Sequence, residues 1–191
     1  MKNFVLKNKY WLITHFPAVI IILLLITQQV KIKSLHTYSG YIATSFLILV
    51  LILKPLRIVY PNFFLVRWGL GKHKREIGVA SFTYAAIHAF LFYLKKDSIS
   101  KFLSYLIHPA IFPGFTIALP ILFVLAITSN NYSVKKLGYE KWKRIHKKVY
   151  IAQYAVFIHM IMVKEVVWAM VYFVPLFIMQ YLKRRKEAIS K

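Results

Sequence analysis

The sequence predicts an all-α protein, a single transmembrane domain over residues 1–191 built as a six-helix bundle with both termini cytoplasmic. Three observations predict it. Of the 191 residues, 59% are hydrophobic and the mean hydropathy is +0.58, above the roughly half expected of a soluble domain. Six apolar runs approach the ~20 residues that cross a hydrocarbon core about 30 Å thick. The 27 Lys and Arg stand against 5 Asp and Glu, a net charge of +22, and they fall in short clusters between those runs. A charge of this size on a soluble chain would point to nucleic acid. Its confinement to the connections between apolar runs excludes a DNA-binding domain, a soluble enzyme and a disordered tail.

The elements follow in order. Lys2, Lys7 and Lys9 precede the first run, 10–28, in the manner of a signal peptide. The run is too long for a signal core and ends in Thr27-Gln28-Gln29-Val30-Lys31, without a small-residue cleavage site, so it reads as a retained span. The others are 40–56, 77–94, 109–129, 149–163 and 166–182, the fifth continuing a helix that begins near Trp142. Pro120 and Pro175 are expected to kink the fourth and sixth. With six spans, one side of the membrane carries 21 Lys and Arg and the other 6. The positive-inside rule therefore places the N- and C-termini in the cytoplasm. No glycine-rich dinucleotide fingerprint or phosphate-binding loop occurs, so nicotinamide binding is not encoded in these residues.

The absence of cysteine removes iron–sulfur clusters, thiolate-ligated haem, covalently attached haem and thiol catalysis. A metal or cofactor must be held by His, Met or the scarce carboxylates. Ionisable groups inside a bilayer are costly and mark function by default. Of seven histidines, only His15, His88 and His159 lie well within spans. His88 and His159 each sit about 12 residues in from the cytoplasmic end of their spans, ~18 Å at 1.5 Å per residue. Both helices run outward, so the two imidazoles reach one depth in the outer half of the membrane. That is the arrangement bis-imidazole haem ligation needs in a helix bundle. Ala85 and Ser81 before His88, and Ala155 and Ala152 before His159, leave room for a flat macrocycle. They equally suit close helix packing, and a histidine pair hydrogen-bonded across helices is a third reading.

The remaining histidines read more simply. His15 is a packed or hydrogen-bonded residue, His73 a solvated loop residue, and His108 beside Pro109 loop punctuation. His36 and His108 fall at the outer surface, within reach of a periplasmic partner or substrate. Arg57, Arg67, Lys74, Arg75, Lys143, Arg144 and Lys147 form a cytoplasmic basic rim. The rim suits phosphate headgroups, or alternatively haem propionates, a flavin phosphate or an acidic reductase. Tyr84, Phe92 and Tyr154 are candidates to line a haem.

Local motifs add to this. Lys74-Arg75-Glu76-Ile77-Gly78, Phe82 and Tyr84-Ala85-Ala86-Ile87-His88 resemble the basic-pair, Gly, aromatic, Tyr-Ala-x-x-His segment of the ferric reductase-like transmembrane family. Leu137-Gly138, Trp142, His146, Val149-Tyr150 and His159 resemble its second segment. Leu35-His36-Thr37-Tyr38-Ser39-Gly40 is similar to the haem-bearing membrane subunits of methionine sulfoxide reductase systems. Glu76 stands where the family usually has an apolar residue. The resemblance covers roughly residues 35–165. It implies haem b with His88 and His159 as axial ligands of its iron. It implies that His146 binds haem nearer the cytoplasm, marking a second haem, and that FMN is a further candidate cofactor. On a straight helix, thirteen residues put His146 and His159 ~20 Å apart but about 140° out of phase, so a bend or a different neighbour is required for His146. The implied role is an electron-transfer subunit in the bacterial inner membrane. It would be reduced by a cytoplasmic flavin reductase or free reduced flavin, and would pass electrons to a periplasmic methionine sulfoxide reductase of the MsrP kind. A self-contained ferric or cupric reductase is the nearest alternative. A histidine-relay transporter is less well supported, since no Asp or Glu lies mid-membrane and no inverted repeat is visible.

Overall fold

A computed structural model describes residues 2–96 and 98–189. Among the described residues there is no strand. The helices are α1 (Lys2–Ile26), α2 (Ile32–Val59), α3 (Phe64–Arg67), α4 (Lys74–Leu94), α5 (Ile99–Leu106), α6 (Leu119–Ile127), α7 (Asn131–Leu137), α8 (Tyr139–His146), α9 (Val149–Met162) and α10 (Val166–Ile189). A 3₁₀ turn, Leu70–His73, leads into α4, and a π-helical turn, Pro113–Ala118, leads into α6.

Four helices are long and apolar enough to cross a membrane, over Lys9–Ile26, Ile32–Val59, Leu70–Leu94 and Val166–Ile189. They carry the first, second, third and sixth expected spans. The fourth expected span is shorter and less regular. Pro113–Ile127 rises about 22 Å, and α7 follows it at a bend of 94°. Counting that pair, five helices meet the requirement by length and composition. The expected fifth span is corrected in one respect: the helix beginning near Trp142 does not continue into it. It ends at His146, and α9 begins at Val149 after a turn at Lys147 and Lys148. The charges explain the break. Lys141, Lys143, Arg144, Lys147 and Lys148 cluster there beside the apolar α9, and burying them along with it would carry a large desolvation cost.

Local signals account for the other boundaries. Ser98 caps α5 by accepting from the Lys101 amide, and Asn130 caps α7 by accepting from the Ser133 amide. Gly138, at φ 75°, separates α7 from α8 in a conformation that residues with a Cβ avoid. Pro120 has no N–H to return to the preceding turn. The helix meets it with the π-helical turn just before α6, whereas α10 runs through Pro175 as one helix.

Two apolar clusters hold the bundle. One joins α1, α2 and α4 through Ala18, Ile21, Ala43, Ala80, Tyr84 and Leu91. The other joins α2, α6, α9 and α10 through Leu47, Leu122, Ala152, Phe173 and Leu176. Polar groups pin the seams where no water can satisfy them. The Ser81 hydroxyl donates to the Ala43 carbonyl at 3.0 Å, and the Tyr84 hydroxyl to the Thr14 carbonyl at 2.9 Å. Fully buried Gln153 exchanges amide hydrogen bonds with Gln180 at 2.9 and 3.3 Å. Since α2 contributes to both clusters, it joins them: α4 and α10 pack against it, while α9 packs against the π-helical turn, α6 and α10.

Candidate functional site

The fold brings His88 of α4 and His159 of α9 together, with ring centroids 6.5 Å apart and planes at 80°. Each ring is held at Nδ1. His88 Nδ1 lies 2.7 Å from the His36 carbonyl oxygen, and His159 Nδ1 lies 2.6 Å from the Ala110 carbonyl oxygen. A carbonyl only accepts, so Nδ1 carries the hydrogen in both rings. In the neutral imidazole the lone pair is then on Nε2. This second contact, which fixes tautomer and orientation, is what metal-ligating histidines ordinarily have.

Close backbone approach completes each holder. A Cβ added to Gly40 on α2 would stand 2.9 Å from Cε1 and Nδ1 of His88, and one added to Gly114 in the π-helical turn would stand 2.9 Å from Cγ of His159. The His36 ring stacks on His88 at 4.1 Å and 22°. His36 therefore supplies both a carbonyl acceptor and a covering face. Expected at the outer surface, His36 is half-buried in the wall of the site.

Both imidazoles open into a cavity of about 360 Å³. Its small lining residues are Gly40, Ala43, Ala85, Ala89, Gly114 and Ala118. Of the four small residues singled out in the sequence, Ala85 lines the cavity. Ser81, Ala152 and Ala155 are instead buried in helix seams, so for these three the packing reading holds. Phe92 lines the cavity. Tyr84 stacks on Phe46 and Tyr154 on Phe177, and neither borders the cavity.

The structure does not bring His146 to this pair. Its Nε2 is 3.1 Å from the Thr128 hydroxyl and its ring lies 4.1 Å from that of Trp142. Trp142 in turn donates to the Thr128 carbonyl at 2.9 Å. The Thr128 hydroxyl hydrogen is directed to the Val124 carbonyl at 2.6 Å, so Thr128 accepts from His146, and Nε2 holds the hydrogen. Burial keeps the His146 imidazole below its ordinary pKa, with the Thr128 backbone opposing. His73 stacks on Tyr10 at 3.5 Å and lies 3.7 Å from Glu76, while Oε2 of Glu76 is buried without a partner among the described residues. His15 bonds the Trp11 carbonyl through Nδ1 at 3.0 Å. His108 accepts from the Ala110 amide at 3.2 Å, a loop contact of the kind expected. In the basic rim, Arg75 donates to Asn131 at 2.8 Å, and Lys143 lies over the Tyr139 ring.

The two glycines, the two carbonyls and the stacking of His36 were not read from the sequence as parts of the site. A signal existed for Gly40, four residues after His36 and so on the same helix face. Gly114 inside an apolar run also marks close approach. The partner that approaches is set by tertiary packing alone.

Residues 39–158 match the family described as ferric reductase like transmembrane component. The chain belongs to this family. Family membership and the long apolar helices make it a multi-pass membrane protein. Among its relatives is the protein-methionine-sulfoxide reductase heme-binding subunit MsrQ of Brucella anthropi. It is 34% identical over 134 residues, covering 69% of this chain and 57% of that protein. The MsrQ of Brucella ovis is 32% identical over 163 residues, covering 81% of this chain and 70% of its own length. The chain thus spans 57% and 70% of the lengths of these two relatives. No solved structure matches it significantly.

Proposed function

We propose that this family member is a haem b membrane cytochrome in which His88 and His159 are the axial ligands of the iron. The observation that carries the reading is the imidazole pair at 6.5 Å, each Nδ1 committed to a backbone carbonyl. The residues fit the group. Two imidazoles bound through Nε2 to one metal at about 2 Å have ring centres about 6 Å apart. Two nitrogen donors also suffice for a metal that brings four ligands of its own. Gly40 and Gly114 admit the rings against the backbone with no Cβ in the way. Bound haem supplies the one-electron chemistry.

The chain's own residues orient and shield. The His36 and Ala110 carbonyls hold the tautomer, and the His36 ring covers His88. Apolar residues such as Leu119 and Leu122 wall the cavity against water. This work is that of an electron-transfer subunit; no bond in a final substrate is broken by these residues. The reading has six spans, with the short Pro113–Ile127 segment and α9 crossing beside the four long helices, and with both termini cytoplasmic by the 21-to-6 charge split. Electrons then enter from a reduced flavin or flavin reductase at the basic rim and leave toward a periplasmic reductase; the relatives' name, a heme-binding subunit of a protein-methionine-sulfoxide reductase, supports a place in such a system. A second haem, or FMN, belongs near His146 in this scheme. For Nε2 of His146 to serve as a ligand, its hydrogen and its contact with Thr128 must be given up.

The test is spectroscopic. Purified protein should be red, with a low-spin, dithionite-reducible haem spectrum lost in His88→Ala and in His159→Ala. An unchanged spectrum in either variant overturns the ligand assignment, and colourless protein that haem does not reconstitute overturns the function.

A further inference from the structure

The cavity is amphiphilic along its length. One end is closed by Ala118, Leu122 and Val156, and the other opens between Lys33 at the start of α2 and Lys95 just past the end of α4. From Lys33 to Thr44, both lining residues on α2, the rise is about 16 Å. Among the described residues, charge at the mouth is unbalanced. Glu165 lines it, but its Oε2 accepts from the Tyr41 hydroxyl at 2.7 Å. Lys96 is occupied too, its ammonium 3.4 Å from the Tyr105 ring centre and 4.8 Å from that of Phe92. Among the described residues, the ammonium groups of Lys33 and Lys95 have neither an ion-pair nor a hydrogen-bond partner. Burial and the neighbouring charges of Lys96 and Lys33 hold the Lys95 ammonium below its ordinary range, so these cations sense one another.

Resting on the haem reading, we propose that the cavity accepts haem in one orientation, with its two propionate carboxylates at the mouth on Lys33 and Lys95. A flat molecule with an apolar body and two anionic arms matches a pocket with an apolar floor and two uncommitted cations at its rim. The reverse orientation would bury both carboxylates against Leu122 and Val156, where neither water nor a cation meets them. Propionate pairing thus belongs at this end of the bundle, and the basic rim near His146 is left free for other anions. Phospholipid phosphates are the competing source of negative charge for exposed lysines, and the experiment separates the two.

Haem-stripped, full-length protein in phosphatidylcholine nanodiscs is titrated with haem and with haem dimethyl ester, in which the carboxylates are blocked. Formation of the bis-imidazole spectrum is followed in each case. Both lysines are exposed, so the effect is modest. Wild type should bind haem roughly three- to tenfold more tightly than the ester at low salt, with the preference shrinking as salt rises. In the Lys33→Gln/Lys95→Gln double variant the preference should fall to within about twofold, with ester affinity unchanged. Equal affinity for haem and ester in wild type, or an undiminished preference in the double variant, overturns the proposal and assigns the lysines to lipid. If neither ligand produces the spectrum in wild type, the haem reading itself fails and the orientation falls with it.

Discussion

The His88–His159 pair and the His146 corner use the same side chain in opposite ways. In the pair, a backbone carbonyl takes the hydrogen of each Nδ1 and leaves the lone pair on Nε2, in rings that line a cavity. At His146, a threonine oxygen already filled on its donor side takes the hydrogen of Nε2, and a tryptophan covers the ring. The two arrangements differ in which nitrogen the neighbours occupy. Position along the helix does not decide it. Backbone carbonyls make this choice rigidly, because they can only accept. A hydroxyl makes it conditionally, since it can turn.

The sharpest way to break the comparison is to remove the imidazoles. His88→Ala or His159→Ala should abolish the haem of the pair, because one axial ligand in an apolar cavity does not hold a low-spin iron. His146→Ala should leave that spectrum intact and lower the haem-to-protein ratio toward one. A ratio and spectrum both unchanged would make His146 a structural residue. Next in size come the glycines. A methyl at Gly114 must displace the His159 ring from 2.9 Å, costing about 1–3 kcal/mol of overpacking. Gly114→Ala should then release haem to an external acceptor roughly tenfold faster or more, whereas Gly78→Ala, where an added Cβ meets its first neighbour at 4.0 Å, should not. Equal rates in the two variants would show that the cradle is irrelevant to haem retention.

Two smaller effects concern sidedness. A reporter fused at the C-terminus should read cytoplasmic, and a periplasmic readout would exchange the proposed donor and acceptor sides. Neutralising Lys143, Arg144 and Lys147 together should slow haem reduction by a flavin reductase several-fold at low salt, while the dithionite spectrum stays as it was. Unchanged rates would leave the cluster as a lipid anchor.

Much of this was legible in residues alone. Long apolar runs in 10–28, 40–56, 77–94 and 166–182 have nowhere to go but hydrocarbon, and each is a single long helix in the structure. Matched depth put His88 and His159 together before any contact was known, because a helix advances a fixed distance per residue. The short elements were harder. Residues 109–129 read as one span, yet they contain the π-helical turn demanded around Pro120 and stop short of a bend into α7. The helix drawn from Trp142 through His159 breaks at Lys147–Lys148, where clustered charge meets the apolar segment.

By itself, then, the sequence determined the solvent, the helical class and the two histidines, since hydropathy, helical rise and the absence of cysteine depend only on which residues occur and in what order. Tertiary structure alone decided which nitrogen of each histidine is free, which glycine lies against which ring, and which lysines face the cavity mouth. These depend on contacts between residues 36 and 88, 110 and 159, or 40 and 88. Such partners lie about fifty residues apart in the chain, and no local periodicity relates them; they meet because α2 packs against α4, and α9 against the π-helical turn.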